Sequence, residues 1–453
     1  MSLGTNESRE TYIYKQNKLY GKIDGGQFFA YKDNEYVLDD LGLAQITDIL
    51  PEGIDLQIML RAFNKQSPIE LLPYLKNTIG DFSFSRLEKA KGNNNIILSN
   101  IDITDKFPNV LRCDINISTS LLVSPQYLDL SIGKKQRLSL SGYQHKLQAS
   151  IVDNIITDNY GDFIIKPYHD SYSQLPENEH LNVSFMRELG FEVPFNALVY
   201  DKRLKVNHYL IKRFDIDENG DKLPQISLNS LMGGGDKYEG NIEDIATFLR
   251  NRLDEEEKVK FIKYIYANAL LYNNDLHKKN ISFIYKDNQI KISPVYDILN
   301  IYAVKGLENT QCVLSINKKH NKIMIGDFYK TSKNLGLNFE KVKEHLEFMQ
   351  NSYLEKYPHY IEKLFQAPSI KNIASFYYRL YESYKKCRKL ANKQTPQTPT
   401  QSAADKIRAM PKPTQEERQK ARAFLDAAKQ AHNADKAQES AQSQSKPKTR
   451  SKQ

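Results

Sequence analysis

Three oxygen-bearing side chains lie within one short stretch: Asp275, Asn280 and Asp297. The first two bracket four residues in Asp-Leu-His-Lys-Lys-Asn, and Asp297 ends Pro-Val-Tyr-Asp. Between them run two apolar segments, 281–285 and 289–293, joined by Lys-Asp-Asn. Apolar, β-branched and aromatic runs around an Asp/Asn turn predict a β-hairpin. The order Asp, four residues, Asn, hairpin, Asp suits phosphoryl transfer. That reaction needs a carboxylate at the acceptor hydroxyl and oxygen ligands for Mg²⁺ beside the nucleotide phosphates. On its own, the Asp-to-Asn spacing equally describes a polar turn; the hairpin and the second Asp give it direction.

Elements upstream must hold this stretch in place. Residues 254–274 predict a long helix. Asp254 and Glu257 form a capping-box pattern, and Val259, Ile262, Ile265, Tyr266, Ala269 and Leu270 share one face. Such a helix gives Asp275 a rigid support. Residues 161–167 predict an apolar strand ending at Lys166. A lysine there either snorkels from an edge or meets an anionic partner. A helix over 177–189, closed by Gly190, carries Glu177 and Glu179 at its start. Either glutamate can hold Lys166, or both simply favour the positive end of the helix. A hairpin over 196–200 and 207–211 runs into Lys212-Arg213-Phe214-Asp215, a polar exit whose backbone can meet an adenine edge. Ser139-Leu-Ser141-Gly142 is a turn of small residues able to wrap an anion, with Lys146 adding charge; an ordinary hairpin turn is the plainer reading. The triple glycine 233–235 neither follows a strand nor precedes Gly-Lys-Ser/Thr, so it reads as a flexible loop.

The totals set the frame. The chain has 453 residues, 40% hydrophobic, with three unpatterned cysteines, Cys113, Cys312 and Cys387. Mean hydropathy is −0.60, and no apolar run is long enough to span a bilayer. With no secretory signal visible, a reducing cytoplasm is the expected compartment, and neither a disulfide framework nor a membrane partner is expected. The net charge is +9. From residue 391 onward, 13 Lys and Arg face 6 Asp and Glu, so +7 belongs to the tail and +2 to the rest. The pI therefore does not indicate a basic nucleic-acid-binding body. Residues 9–88 predict a small α+β unit: antiparallel strands over 11–40, helices over 51–63 and 67–75, and a strand at 81–84. No chemistry is evident there, and a packing or regulatory role is expected. Residues 338–390 predict two or three helices. The Pro-, Gln-, Ser- and Lys-rich tail predicts disorder, with nascent helicity over 414–432.

Seven short motifs now stand in order: Ser-x-Ser-Gly-x-Gln-x-Lys, Ile-Ile-Lys-Pro, Asn-Glu before a helix, Arg-Phe-Asp, Lys-Tyr-Glu, Asp-x-His-x-Lys-Asn and Pro-x-Tyr-Asp. Over residues 10–385 the chain resembles the HipA-like toxin kinases of bacterial toxin–antitoxin systems. The resemblance implies an α+β fold of two lobes, protein-kinase-like. Residues 1–105 would be an N-terminal subdomain, 106–215 the N-lobe with phosphate loop and hinge, 216–390 a helical C-lobe, and 391–453 an added basic tail. It implies a protein serine/threonine kinase using ATP and Mg²⁺. Asp275 would be catalytic, and Asn280 and Asp297 the metal ligands. Ser141, Gly142, Tyr143, Gln144, His145 and Lys146 would form the phosphate loop, with Lys166 on the phosphates. Lys212, Arg213 and Phe214 would line the hinge. His277, Lys278, Lys279, Asn280, Tyr296 and Asp297 would face the nucleotide. Ser139 matches the family's autophosphorylated serine, and Ser141 supplies a second candidate. A phosphate there would repel the phosphates of ATP. The resemblance further implies a HipB-like helix-turn-helix antitoxin as partner, and DNA contact through it or weakly through the tail. An aminoacyl-tRNA synthetase would be the substrate. The family usually has Glu where this chain has His145 and where it has Lys212.

Two other classes compete. The loop Asp-Leu-His-Lys-Lys-Asn also resembles that of lipid kinases, against which stands a chain with no membrane element. A non-catalytic corepressor that only grips an antitoxin would not need Asp275, Asn280 and Asp297.

Overall fold

The computed structural model describes residues 10–88, 96–104, 106–123, 144–286, 289–307, 310–367, 370 and 374–394. Ser139, Ser141, Gly142, Tyr143 and the tail from 395, including 414–432, lie outside the described residues. Among those described, no helix is long and apolar enough to cross a membrane.

Alternating apolar residues fold the N-terminal segment into a five-stranded antiparallel sheet. Its order is Glu35–Leu38, Gln27–Lys32, Lys18–Asp24, Thr11–Lys15 and Phe82–Ser85. Ile13, Ile23, Phe28 and Ala30 point inward. A helix that periodicity does not suggest, Asp40–Thr47, starts where the Asp39 carboxylate accepts the Gly42 N–H at 2.9 Å. The predicted helix over 51–63 is Gly53–Phe63, closed by Asn64 at φ +52°. The predicted helix over 67–75 is instead a 3₁₀ segment, Pro68–Tyr74. Pro73 inside it has no N–H to donate, which disfavours an α-helical ladder.

The second sheet has seven strands, ordered Val110–Leu111, Asn196–Asp201, Val206–Lys212, Phe163–Lys166, Leu147–Val152, Ile155–Thr157 and Asp114–Asn116. Leu147, Ala149, Ile151, Phe163 and Ile165 share one apolar core with Ile13, Phe28, Leu71 and Leu72 of the N-terminal unit. The two are therefore packed as one body on that side. The helix Leu175–Phe185 follows, continued by a 3₁₀ turn to Leu189 and closed by Gly190 at φ +82°. Sequence periodicity predicts an amphipathic helix here, but residues 176–185 are all buried. Its polar residues are matched in place. Asn178 Nδ2 donates to the Asn300 carbonyl at 2.9 Å, and Tyr357 Oη donates to Asn182 Oδ1 at 2.8 Å. His180 Nε2 accepts the Asn109 N–H at 3.0 Å, leaving Nδ1–H to donate to Asn196 Oδ1 at 2.7 Å.

The remainder is mainly helical: Ile242–Leu249, Glu255–Leu270, Tyr329–Leu335, Phe339–Gln366 and Ala374–Gln394. The predicted hairpin is present as Ser282–Lys286 and Gln289–Ile292, and Gln225–Ser227 pairs onto it as a third strand. The capping box at Asp254 is only half made. Asp254 accepts the Glu257 N–H at 2.9 Å, but Glu257 Oε2 accepts the Ile292 N–H at 2.7 Å. Glu257 thus ties the long helix to the hairpin instead of to its own cap.

Candidate active site

The cleft is built from three sources: the seven-stranded sheet, the catalytic stretch and the N-terminal unit. Its cavity volume is about 290 Å³. Ile164, Ile211, Phe214, Ile226, Tyr296 and Leu299 give it an apolar slot. Lys146, Lys166, Asp275, His277, Asn280 and Asp297 give it a charged end.

Lys166 ends its strand with the ammonium buried. It donates to Glu179 Oε1 at 2.6 Å and to Asp297 Oδ1. Burial alone would lower the Lys166 pKa, but these carboxylates hold it above the ordinary lysine value. Burial opposes the charge of Asp297 too, and Lys166 overcomes it, holding the Asp297 pKa below the carboxylate range. Glu179 fares differently: burial and the Asp297 charge push it up to about 7, against Lys166. Two carboxylates share one ammonium; Asp297 keeps its charge, and Glu179 is the one that protonates more easily. Of the two candidate glutamates, Glu179 meets Lys166. Glu177 instead accepts from Asn207 Nδ2 at 2.7 Å.

The helix Glu255–Leu270 delivers the stretch that carries Asp275, Asn280 and Asp297. Tyr272 at φ +56° and Asp297 at φ +53° lie in the left-handed region, which non-glycine residues rarely adopt. Such conformations concentrate at functional sites. Asn273 Nδ2 donates to the Asp297 carbonyl at 3.1 Å and to Asn268 Oδ1 at 2.7 Å, stitching the two turns to the helix. Asn280 Nδ2 donates to the Asp275 carbonyl at 3.0 Å, which leaves Asn280 Oδ1 as its oxygen donor toward the cleft. Tyr238 Oη lies 3.4 Å from Asp275 Oδ1. Burial, then the Asp297 charge, pushes Asp275 up to about 6, with Lys237 and Tyr238 opposing. Burial lowers His277 to about 4, keeping it neutral, and its Nδ1 is buried with no hydrogen-bond partner.

These features test the fit of a nucleotide and a divalent metal. Asn280 Oδ1 and the Asp297 carboxylate are hard oxygen donors, and Mg²⁺ is usually held by one or two carboxylates plus phosphate oxygens. Asp297, held ionised beside Lys166, keeps a charged oxygen for a cation, and Lys146 and Lys166 supply positive charge for phosphates. The orphaned His277 Nδ1 and the apolar slot suit a ligand with polar and flat parts. Among the described residues, no group of three or more His, Cys, Asp or Glu forms a metal cage. A cage of that kind is not what a phosphate-bridged metal requires.

Gln144, Lys146, Lys166, Lys212, Arg213, Phe214, Asp275, His277, Lys279, Asn280, Tyr296 and Asp297 all line the cleft. Two predicted residues do not. His145 is buried, with Nδ1 2.6 Å from Asp55 Oδ1 and Nε2 2.9 Å from the Leu121 carbonyl. It ties the end of the phosphate-loop segment to the N-terminal unit, because Asp55, itself buried, supplies the charge partner. Lys278 is buried away from the lining, with its N–H donating to the Lys237 carbonyl at 3.1 Å. Arg213 lines the cleft, but its guanidinium is engaged elsewhere. It binds Asp215 at 2.7 and 3.0 Å and the Asn77 and Thr78 carbonyls at 2.8 and 3.0 Å. Asp215 in turn accepts the Gly80 N–H at 2.9 Å.

Sequence reasoning missed one wall. Lys15, Asp48, Glu52, Ile79 and Phe82 of the N-terminal unit all line the cleft. Glu52 accepts from Lys237 Nζ at 2.8 Å and from Lys279 Nζ at 2.6 Å. Burial works against its ionisation, but the two lysines hold Glu52 down to about 2. The only signal in the sequence was Lys-Tyr-Glu at 237–239, a motif without an evident role.

Comparison with known proteins now bears on the geometry. The family description "HipA-like C-terminal domain" matches residues 138–357. A putative kinase of Haemophilus influenzae is 32% identical over 248 residues, covering 47% of this chain and 71% of that protein. The chain belongs to the HipA-like kinase family. The putative kinase Y4dM of Sinorhizobium fredii is 29% identical over 204 residues, 40% of this chain and 50% of that protein. Among solved structures, a chain of the Shewanella oneidensis MR-1 toxin–antitoxin complex of HipA, HipB and operator DNA superposes with a TM-score of 0.64. That match covers 84% of this chain and 97% of the other at 15% identity. It shows the fold: a two-lobed, kinase-like α+β architecture, as the HipA-like motifs imply.

Proposed function

We propose that this HipA-like kinase is an ATP-dependent protein serine/threonine kinase and the toxin of a toxin–antitoxin pair. One observation carries the reading. Lys166, Glu179 and Asp297 form one charge cluster, buried at Lys166 and Glu179, and Asp275 faces the same cleft. ATP would supply the phosphoryl group, and Mg²⁺ would offset the charge on its oxygens. Lys146 and Lys166 would bind phosphate oxygens, and Asn280 and Asp297 would hold the metal. The apolar slot, one wall of which is the Phe214–Tyr296 pair with ring centroids 5.6 Å apart, would take the base. Asp275 would orient the acceptor hydroxyl and accept its proton; a carboxylate raised to about 6 remains mostly ionised at neutral pH.

The finer assignments rest on the family motifs. The units are 1–105 (N-terminal subdomain), 106–215 (N-lobe), 216–390 (C-lobe) and 391–453 (tail), and the enzyme works in the cytoplasm. Ser139 and Ser141 are its autophosphorylation sites. A HipB-like helix-turn-helix protein is its partner, a reading supported by the HipB and operator DNA in the Shewanella complex. An aminoacyl-tRNA synthetase is its substrate. The test is transfer of label from ATP by the purified protein and its Asp275→Asn variant, followed by phosphosite mapping in a cell extract. Label on serine or threonine in the wild type alone supports the proposal; none in either rejects it.

A further inference from the structure

One side of the cleft holds a charge cluster drawn from three distant segments. Glu52 bridges Lys237 and Lys279, and Asp48 Oδ1 lies 2.9 Å from Lys279 Nζ. Asp48 also accepts from Ser227 Oγ. Lys279 is the residue before Asn280, and the Lys237 carbonyl accepts the Lys278 N–H. The N-terminal unit, the turn at 236–239 and the catalytic loop therefore meet at one node.

Local structure marks this node as built for something other than folding. Glu52 occupies the N-cap of the helix Gly53–Phe63 but makes no side-chain cap bond. Glutamate is not among the favoured N-cap residues, so the helix start gives up a stabilising bond while the carboxylate reaches into the cleft. Such local departures from good helix chemistry are expected at functional sites. Both lysines are less than one-fifth exposed, so their pairing is desolvated rather than a surface contact.

We propose that Asp48 and Glu52 are positioning residues of the active site, through which the N-terminal unit fixes the loop carrying Asp275 and Asn280. They do not touch the reacting atoms. They hold Lys237 and Lys279, and these hold the loop. The inference rests on the kinase reading above and makes the N-terminal unit a working part of the catalytic centre.

The test uses the full-length protein. Glu52→Gln is expected to lower kcat by about 10- to 100-fold while leaving KM for ATP within about twofold, as for a misplaced catalytic group. Amide hydrogen exchange over 273–280 should speed up in that variant. Glu52→Lys should fall further, and adding Lys237→Glu should recover part of the loss by restoring the pair with its charges exchanged. Breaking the distant pair between Lys356 and Glu188 with Lys356→Gln should leave kcat unchanged. Wild-type kcat and exchange in Glu52→Gln would overturn the proposal. So would a raised kcat, which would make the acidic pair a plug. If the wild type transfers no phosphate, the kinase reading falls instead, and the exchange comparison still decides whether the carboxylates hold the loop.

Discussion

Two charge clusters face one cleft, and they are built oppositely. Around Lys166, a single ammonium is shared by two carboxylates, all from the sheet, its packed helix and the catalytic stretch. Around Glu52, two ammoniums are shared by two carboxylates, and the acids come from the N-terminal unit. The first cluster has Lys146 beside it and opens on the cleft, where the kinase proposal would seat the phosphates and their metal. The second is balanced and closed on itself, as a fastening is. On the proposals above, one half of the cleft would take ligand and the other would hold position.

The contrast can be broken by substitution. The largest effect is expected at Asp275, which lies between the clusters. Asp275→Asn should lower single-turnover phosphate transfer by about 10²- to 10⁴-fold, the usual contribution of a general base, with nucleotide affinity nearly intact. Next is Arg213, whose guanidinium fastens the sheet to the N-terminal unit. Arg213→Ala leaves the buried Asp215 without its guanidinium partner and should cost about 3–5 kcal/mol in urea unfolding. Lys166→Met should lower transfer by about 10²- to 10³-fold, a loss of electrostatic stabilisation. Unlike Asp275→Asn, it should weaken nucleotide binding in calorimetry. If Lys166→Met binds nucleotide normally, the ligand-receiving role given to its cluster is wrong. The Glu52 series follows, with its smaller expected loss of kcat.

The smallest effect is a pH dependence. His180 is buried, and burial lowers its pKa to about 4, against Asn196. Between pH 6.5 and 4 the unfolded chain binds a proton there that the native protein does not. Stability should therefore be full above pH 6.5 and decline as the pH falls toward 4. Unfolding free energies at pH 7.5, 6 and 5 check this, and His180→Gln should flatten the acid slope.

Much of the first cluster was legible in the sequence, and almost none of the second. The hairpin, the long helix and the strand ending at Lys166 carry local patterns, so periodicity and turn chemistry expose them. Glu179 was one of two candidates; both reach the sheet, Glu179 at Lys166 and Glu177 at Asn207 of the neighbouring strand. Glu52 and Lys279 are 227 positions apart; Lys279 stands in the motif Asp-x-His-x-Lys-Asn, but no local pattern marks Glu52. His145 misled for the same reason: its partner Asp55 lies 90 positions away in a helix that looks purely structural. Asp40–Thr47 escaped notice because it is short and its apolar spacing is weak. Local chemistry is written locally, but a wall contributed by another unit is written only in the fold.

The helix Leu175–Phe185 has one more consequence. It carries Glu179, is buried on every side, and has Asn178, His180 and Asn182 each bonded to a different neighbour. A helix so seated cannot swing outward without stranding all of them. Pulling Glu179 away from Lys166 by moving this helix would therefore break those buried hydrogen bonds as well. Any device that turns such an enzyme on and off must act on parts less firmly anchored than this helix.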